Sequence, residues 1–425
     1  MRCSTAVAAL AIGLATAARA VAPVAHTAPA APAGATADTC LSCHATLTDE
    51  RLRKPAELAK SDIHLTQGIT CAGCHGGDPA AADRAAAMDP RKGFVGVPAP
   101  RAIPELCGSC HSNAAYMLRY APNIPTDQLS QYRTSKHGLA LAKGSTDVAV
   151  CSSCHGAHGV RPPSDARSPV YPTRIVATCA RCHADVALMN KYGIKGNEVA
   201  EYEKSVHYAA LTQKNDLSAP TCKSCHGAHG ATPPGVSSVA NVCGTCHVIQ
   251  LERFDQSPHK DAFAAIDQPA CEACHSNHAI VHPQDSWIGV ADKQVCAACH
   301  SAGDAGATAA AALSGALANA VVAEATVGAR VARVKRAGML MDAAEVKLQD
   351  AQQAYIMATV EIHTVTPARV EKQTAAAIAD TVAADRDAAA AEREIRFRRT
   401  GLFISLAVIA LAMVTLIFKI RSIEH

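Results

Sequence analysis

Large aromatic side chains are scarce in this sequence. Aromatic residues make up 4% of the 425 residues, with one tryptophan and six phenylalanines. A chain of this length is long enough for two or three domains, yet a core built from large side chains is poorly supplied. Something other than side chains must therefore fill part of the interior.

The sequence also lacks a strong charge of either sign. Its formal net charge is +3 at pH 7, and no stripe rich in lysine and arginine is present. A surface that binds nucleic acid carries such a basic patch. Nucleic acid is therefore excluded as an expected partner.

The first twenty residues have the features of a secretory signal peptide. Arg2 is followed by an apolar stretch from Thr5 to Ala18, and Ala18 and Ala20 fit the small-x-small cleavage rule. We predict a signal peptide over 1–20 and an Ala/Pro-rich linker over 21–37. An uncleaved N-terminal anchor is the alternative, although the apolar run is short for a membrane span. Cleavage removes Cys3 and leaves eighteen of the nineteen cysteines.

Those eighteen cysteines form nine Cys-x-x-Cys-His motifs, the attachment signature of haem c. Two thiols three residues apart lie on one face of a helical turn, where they can form thioethers to the two vinyl groups of one porphyrin. The next residue, histidine, then points at the iron as the proximal ligand. In chain order, motifs 1 to 9 contain Cys40, Cys43 and His44; Cys71, Cys74 and His75; Cys107, Cys110 and His111; Cys151, Cys154 and His155; Cys179, Cys182 and His183; Cys222, Cys225 and His226; Cys243, Cys246 and His247; Cys271, Cys274 and His275; and Cys296, Cys299 and His300.

Zinc sites and disulfides are the alternative uses of such cysteines. A zinc ribbon needs paired Cys-x-x-Cys motifs to complete four ligands, and nine is an odd number. Disulfides suit an exported chain, but neither alternative explains a histidine directly after every second cysteine. The pattern therefore predicts nine covalent haems c, whose large apolar plates supply the missing interior.

Eleven histidines remain besides the nine proximal ones, and eight of them lie among the motifs. Four stand between pairs of motifs in a Ser-x-His or related pattern: His64, His137, His207 and His259. Three stand three residues beyond a proximal histidine: His158, His229 and His278. His282 is the eighth. Repetition at fixed offsets favours a shared role over unrelated surface or core histidines.

The spacing reveals an internal repeat of about 70 residues. Cys107 and Cys179 are 72 residues apart, and His137 and His207 are 70 apart. Each repeat would hold two haems. The block that starts at Cys40 and the shorter one that starts at Cys243 are divergent copies, and motif 9 is a final half repeat.

A histidine three residues after a proximal histidine cannot bind the same iron. Three extended residues reach about 10 Å, whereas the vacant iron position faces the opposite side of the macrocycle. We therefore expect His158, His229 and His278 to bind neighbouring haems, most simply that of the next motif along the chain.

Over residues 38–300 the sequence resembles the multihaem cytochromes c with doubled Cys-x-x-Cys-His motifs. This resemblance implies bis-histidine, low-spin irons packed into a conducting chain. It makes the eight extra histidines second ligands: His64, His137, His158, His207, His229, His259, His278 and His282. Eight candidates for nine irons leave one position open. His26, Met88 or Met117 would fill it, or the iron would stay open.

The composition changes after Ser301. Residues 305–364 are rich in alanine and contain no proline, which predicts a helix of about 90 Å at 1.5 Å per residue. Thr366 and Pro367 mark a break and a restart, with threonine as N-cap and proline at the first helical position. We predict a long helical hairpin over 305–399, and we assign His363, near the break, no ligand role.

Leu402–Phe418 is a run of seventeen uncharged, mostly apolar residues with cationic residues on both sides. It predicts a transmembrane helix over 400–420 and a cytoplasmic tail over 421–425, with a buried core helix as the alternative. Haem c is attached outside the cytoplasm, so we expect the haem domain, 38–304, on the periplasmic side of the inner membrane. The excess of arginine on the outer flank argues mildly for the opposite orientation, but long exported domains translocate largely regardless of charge.

The predicted fold is mostly α-helical with little regular structure in the haem domain, followed by the hairpin and one membrane helix. We expect an electron carrier rather than an enzyme, working between a quinol-linked membrane donor and another redox protein. One alternative is a reductase or oxidase of small nitrogen or sulfur compounds at an open haem, although no motif has the lysine that replaces histidine in multihaem nitrite reductases. Another is an electron-transfer subunit of a larger respiratory complex, with the hairpin as the surface for assembly or oligomerisation.

Overall fold

The computed structural model describes residues 38–424, and within this range all regular secondary structure is helical. The mostly α-helical fold class is thereby confirmed. The predicted signal peptide, the linker and His26 lie outside the described residues. The chain divides into two compact units, one that ends at Ser168 and one that starts at Pro169. Motifs 1 to 4 belong to the first unit and motifs 5 to 9 to the second.

The first unit is built from short helices joined by turns. Its α-helices are α1 (Thr39–His44), α2 (Glu50–Ala59), α3 (Ile63–Thr66), α4 (Ala72–His75), α5 (Arg84–Ala87), α6 (Ile103–His111), α7 (Ala114–Tyr120), α8 (Gln128–Thr134), α9 (Lys136–Ala142) and α10 (Cys151–His155). Two 3₁₀ turns, Pro90–Lys92 and Pro100–Ala102, connect them.

The second unit begins in the same style. Its short helices are α11 (Ile175–His183), α12 (Val186–Asn190), α13 (Glu198–Tyr202), α14 (Val206–Gln213), α15 (Cys222–His226), α16 (Val248–Phe254), α17 (His259–Ala265) and α18 (Glu272–His275). The 3₁₀ turns are Pro172–Arg174, Val239–Asn241, Cys243–Thr245, Asp285–Trp287 and Val295–Ala298.

Every attachment motif lies on a helical turn. Seven of the nine motifs sit at the end of an α-helix whose last residue is the proximal histidine. The motifs of Cys243 and Cys296 lie in 3₁₀ turns. There the backbone N–H of His247 donates to the carbonyl of Cys243, and that of His300 to Cys296, both at 2.9 Å. This spacing places both thiols and the histidine within one turn, as attachment to a single porphyrin requires.

Side chains alone do not form a continuous core around the motifs. Ten hydrophobic residues are buried between 38 and 304, whereas fifteen are buried in the shorter segment from 305 to 399. All three clusters of buried hydrophobic residues lie mainly in that C-terminal segment. The sparse protein core around the motifs fits an interior that is filled by haem.

The C-terminal segment is a three-helix bundle that continues into a long helix. It consists of α19 (Ala305–Arg336), α20 (Asp342–Glu361), a 3₁₀ turn at Ile362–Thr364, and α21 (Pro367–Ile423). Val327 and Val331 of α19, Ala344 of α20, and Ala384 and Ala388 of α21 share one cluster.

The prediction of one unbroken helix over 305–364 is therefore wrong, because α19 ends in a Schellman motif. Gly338 has φ +89°. Its N–H donates to the carbonyl of Lys335 at 2.9 Å, and the N–H of Met339 donates to Val334 at 3.4 Å. Glycine adopts this left-handed conformation without steric cost.

Ion pairs across the bundle join its helices at the end far from the 3₁₀ turn. Arg330 bonds Asp385 at 2.8 Å and Glu392 at 2.7 Å, and Arg333 bonds Glu392 at 2.9 Å. These pairs fix α19 against α21 in a single register, while exposure keeps the energy of each one small.

Two helices of the described chain are long and apolar enough to cross a membrane, by length and composition alone. In α19 part of the apolar stretch is buried within the bundle, whereas none of that in α21 is buried. The side chains of Leu402, Phe403 and Phe418 are all more than half exposed. The end of α21 thus presents a continuous apolar surface that the described part of the protein leaves uncovered.

Candidate haem-binding sites

Ring pairs in the described part of the chain place six proximal histidines opposite a second histidine of the same unit. In the first unit, His111 faces His64 at a ring-centroid distance of 6.0 Å and His75 faces His158 at 5.9 Å. In the second unit the pairs are His247 with His207 at 6.4 Å, His226 with His278 at 5.9 Å, His300 with His259 at 6.1 Å, and His275 with His363 at 6.1 Å.

This separation fits an iron atom bound by both rings. If each imidazole nitrogen lies about 2 Å from a metal and about 1.2 Å in front of its own ring centre, the two centres lie about 6.4 Å apart. The donor set therefore fits haem: two cysteines on one turn, a proximal histidine and a second histidine opposite.

The histidines that follow a serine lie in the first turn of a capped helix. Ser135 accepts from the N–H of Gly138 at 3.0 Å, and Ser205 accepts from Tyr208 at 3.1 Å. In the first repeat the cap is Asp62, not Ser61, and it accepts from the N–H of His64 at 2.8 Å. The pattern is thus a capping residue followed two positions later by histidine, and the capping side chains are buried.

Hydrogen bonds fix the orientation of several of these imidazoles. Nδ1 of His75 donates to the carbonyl of Gly96 at 2.7 Å, and Nδ1 of His64 donates to Asp62 at 2.9 Å. Nδ1 of His363 donates to the carbonyl of Val360 at 3.0 Å. A proton held on Nδ1 leaves the Nε2 lone pair available to a metal.

The histidines three residues beyond a motif turn back toward an earlier motif. His158, which follows motif 4, faces the proximal histidine of motif 2, and His278, which follows motif 8, faces that of motif 6. The expectation that they serve the next motif is therefore wrong for these two. The backbone explains the direction, because Gly156 and Ser276, directly after the proximal histidines, have φ of +83° and +59° and reverse the chain.

The reversed loop docks on a capped helix in both units. The N–H of Val160 donates to Asp62 at 2.8 Å, and the N–H of Ile63 donates to the carbonyl of Val160 at 2.9 Å. In the second unit the N–H of Val206 donates to the carbonyl of Ile280 at 2.8 Å. Each unit therefore contains the same arrangement of two histidine pairs.

Within each unit, consecutive attachment sites lie next to one another. Side-chain hydrogen bonds join the first cysteines of neighbouring motifs, and the bond between Cys107 and Cys151 raises the pKa of Cys107. Equivalent bonds join Cys179 to Cys222 and Cys243 to Cys271. In haem-bound protein these sulfurs are thioethers, so the contacts mark the proximity of attachment points, not acid–base pairs. The remaining neighbouring motifs of each unit are close enough for their cysteines to interact electrostatically. The cysteine pairs are Cys40 with Cys71, Cys74 with Cys110, Cys225 with Cys243, and Cys274 with Cys296.

Burial keeps the paired imidazoles neutral. It lowers the pKa of the histidine below its usual value, and the neighbouring imidazole adds to the effect in several pairs. The histidines affected are His158, His207, His226, His259, His275 and His363. A neutral imidazole is the form that binds a metal.

The remaining predicted residues are placed as follows. His137 lies on α9 two residues after its cap, and His229 lies three residues beyond His226, so both occupy the repeated positions. Among the described residues no histidine ring faces His44, whose Nδ1 lies 3.4 Å from the carbonyl of Leu52. Met88 ends α5, and Met117 is buried on α7.

His282 faces no proximal histidine among the described residues, and its predicted role as a second ligand stays a prediction. It is exposed, and its Nδ1 donates to the carbonyl of Pro283 at 2.9 Å. The structure instead places His363 opposite His275. No repeat offset pointed to His363, which lies 88 residues after His275 and in the alanine-rich segment.

Comparisons with known proteins agree with this geometry. The family model described as cytochrome c3 matches residues 63–184, and that described as cytochrome c554 and c-prime matches residues 13–76 and 242–322. The chain is a multihaem c-type cytochrome. The C-type polyheme cytochrome OmcC of Geobacter sulfurreducens is 26% identical over 169 residues, which are 34% of this chain and 20% of that protein. This cytochrome thus spans about a fifth of the length of that relative, and no solved structure matches it.

The matches to these family models imply covalently bound haem c in this cytochrome. The haem supplies one-electron chemistry at iron when it is bound, and the protein sets ligation, spacing and burial. The cysteine pairs would provide the covalent attachment, and the facing histidines would bind the iron.

Proposed function

We propose that this cytochrome is a membrane-anchored periplasmic electron carrier with nine covalent haems. The observation that carries the proposal is the facing of proximal and second histidines. Bis-histidine ligation occupies both axial positions of an iron and closes it to substrate, which suits electron transfer more than catalysis.

The proposed second ligands include five predicted histidines that face a proximal ring in the structure. These are His64, His158, His207, His259 and His278. We propose His137 and His229 as second ligands because they occupy the equivalent positions in the repeat. The adjacency of consecutive attachment sites supports passage of electrons from motif to motif in chain order within each unit.

The proposed donor is a quinol-oxidising membrane subunit, and the acceptor is another redox protein. The uncovered apolar surface of Leu402–Phe418 supports anchoring of the cytochrome in a membrane. Export to the periplasm is proposed because haem c attachment takes place outside the cytoplasm. The same anchored form would serve as a subunit of a larger respiratory complex.

Spin counting on the oxidised protein tests the proposal. Intact mass of matured protein should show nine covalent haem additions, and electron paramagnetic resonance should show low-spin signals from nearly all irons. A redox titration should be reversible, with rapid reoxidation by protein partners. Seven or fewer haems, or several high-spin irons that bind carbon monoxide, would contradict the carrier assignment.

One observation favours a second candidate function at motif 1. Within the described residues His44 faces no second histidine, and Cys43 is exposed. An open iron there would suit a reductase or oxidase of a small nitrogen or sulfur compound. Turnover of nitrite, hydroxylamine, sulfite or tetrathionate with a reduced viologen, at about 10 per second or more, would establish that function. A single high-spin iron without turnover would leave the electron carrier in place.

A further inference from the structure

We infer that His363 is the second axial ligand of the haem attached at Cys271 and Cys274. The ligand would then come from the C-terminal bundle, outside the segment that contains the attachment motifs. This inference rests on the haem binding of the proposed function and assigns one of its sites.

The position of the two rings matches the other histidine pairs. The centroids of His275 and His363 lie 6.1 Å apart, within the range of 5.9–6.4 Å of the other five pairs. Their planes differ by 21°, close to the 19° of His226 and His278. The donor bond from Nδ1 of His363 to the carbonyl of Val360 leaves Nε2 as the metal-binding nitrogen.

A buried hydrogen-bond network holds the turn that carries His363. Thr364 is fully buried, and its hydroxyl donates to the carbonyl of Glu361 at 2.7 Å. The next residue, Val365, has φ +51°, so the chain reverses sharply between α20 and α21. This backbone restricts the imidazole to a narrow range of positions before any haem is bound.

The turn is also fixed to the haem-binding part of the second unit. Nε of Arg253, on the helix directly after motif 7, donates to Glu361 at 2.7 Å. Arg369 lies 3.6 Å from Glu361 and donates to Gln256 at 2.6 Å. Tyr355 donates to Asp285, on the loop after motif 8. Residues before and after motif 8 in the chain thus hold the end of the bundle against this motif.

A packing role alone does not account for this arrangement. A histidine that only filled space would gain nothing from facing a proximal imidazole at the metal-binding distance. His282, the predicted alternative, also donates from Nδ1 to a backbone carbonyl, yet it is exposed and faces no histidine among the described residues. The two residues therefore form a matched pair for a test.

The test compares His363→Ala with His282→Ala in full-length, detergent-solubilised holoprotein. We expect both variants to retain the covalent haem count of the wild type by intact mass. His363→Ala should gain one high-spin ferric iron that binds carbon monoxide when reduced, and added imidazole should restore its low-spin signal. His282→Ala should keep the wild-type spectrum.

A further variant distinguishes the loss of an iron ligand from a folding defect. In His363→Met the thioether should bind the iron and raise the potential of one haem, since methionine ligation raises haem potentials. An unchanged spectrum and titration in both His363 variants, with full haem content, would overturn the inference while the carrier function stands. Failure of the proposed function would appear differently, as high-spin irons or missing haems in the wild type itself.

Discussion

At the scale of single residues, four of the proposed second ligands (His64, His137, His207 and His259) are positioned by a polar side chain two residues earlier. A cap two residues before the histidine fixes the start of the helix and so the direction of the imidazole. Ser135 and Ser205 are two of these residues, and the hydroxyl of Ser257 accepts from the N–H of His259 at 3.2 Å. Asp62 instead brings a carboxylate against its own histidine. Burial alone would raise the pKa of Asp62, but hydrogen bonds from His64 and from the N–H of Val160 outweigh it and hold that pKa below its usual value.

We predict that Asp62→Asn raises the reduction potential of one haem. The carboxylate on Nδ1 makes His64 a more electron-rich ligand, which stabilises ferric iron. Asparagine caps a helix as well as aspartate does, so the fold and the haem count should persist, although its amide nitrogen cannot accept the bond from the N–H of Val160. A spectroelectrochemical titration should show one component displaced upward. Asp49→Asn, at a cap whose carboxylate contacts Arg51 and no histidine, is the control and should leave the titration unchanged.

The chain reversal after the motifs gives a second residue-scale prediction. Gly227 and Ser276 occupy equivalent positions with ψ of 158° and −168° and positive φ, a region that only glycine adopts without strain. Ser276→Gly should therefore raise the free energy of unfolding by about 1 kcal/mol. Gly227→Ala should lower it, because the added Cβ would lie 2.7 Å from the carbonyl oxygen of Thr232.

Guanidinium titration of the holoprotein measures both effects. Trp287, the single tryptophan, lies 6.3 Å from His275, and its fluorescence should be quenched by the neighbouring haem until that region unfolds. A lower guanidinium midpoint in Ser276→Gly would contradict this prediction. It would show that contacts of the serine side chain stabilise the fold by more than the backbone strain destabilises it.

The sequence predicts the attachment residues, but it does not predict which proximal histidine each second histidine faces. The Cys-x-x-Cys-His signature is local, so one helical turn satisfies it wherever it occurs. The partner of His158 depends on a single backbone reversal at Gly156, whose direction no spacing rule contains. His363 lies in a segment whose alanine-rich composition indicates only helix, and its role arises from tertiary packing against motif 8.

At the scale of elements, the C-terminal bundle is docked on motif 8. Glu361 is buried between Arg253 and Arg369 at the end of α20. Removing one partner of a buried charge costs more than the pair contributes, because the remaining charge stays out of water.

We predict that Arg253→Met lowers the free energy of unfolding by about 2 kcal/mol, since Arg369 retains part of the interaction. The turn at Ile362–Thr364 should exchange its amide hydrogens faster, and a fraction of one haem should become high-spin as His363 loosens. Lys260→Met removes an exposed partner of Asp255 and is the control; its effect should lie within about 0.5 kcal/mol. Equal effects of both variants would show that the Glu361 contacts do not hold the bundle.

The element prediction failed at one informative place. Composition predicted a single helix over 305–364, but Gly338 follows Arg333, Lys335 and Arg336 in the last turn of α19, which is a standard signal for a helix end. The break lets α20 fold back and bury Ala344, Ala351 and Ala358 against its neighbours. Small side chains permit this close packing, so the alanine content that indicated helix also specified a bundle.

At the scale of the whole molecule, α21 joins the turn of the proposed ligand His363 to the proposed anchor. From Pro367 to Thr400 the helix covers about 50 Å at 1.5 Å per residue. His363 lies four residues before Pro367, so the proposed anchor begins about 50 Å along the helix from the turn that faces motif 8. A quinol dissolved in the bilayer would not approach that haem, which argues for a donor subunit with redox centres of its own.

We therefore predict that a lipid-confined quinol does not reduce this cytochrome in proteoliposomes. A water-soluble reductant should reduce it fully, which controls for loss of haem during reconstitution. Rapid reduction by the quinol alone, on the timescale of seconds, would show that a haem lies close to the bilayer and would remove the need for a separate donor.

Two truncations separate the anchor from the ligand, because both lie on the same C-terminal segment. Removal of residues 400–425 takes away the uncovered apolar helix but leaves the bundle core, whose last packed residues are Ala391 and Ile395. This form should be soluble and should keep the haem count and the low-spin spectrum of the full chain.

Removal of residues 305–425 takes away His363 as well, so it should give one additional high-spin iron that imidazole converts to low-spin. If the protein without residues 400–425 stays in carbonate-washed membranes, the anchor lies elsewhere. If every iron stays low-spin in the protein without residues 305–425, the bundle donates no ligand. In that case α19 to α21 would serve only to hold the haem-binding part away from the membrane.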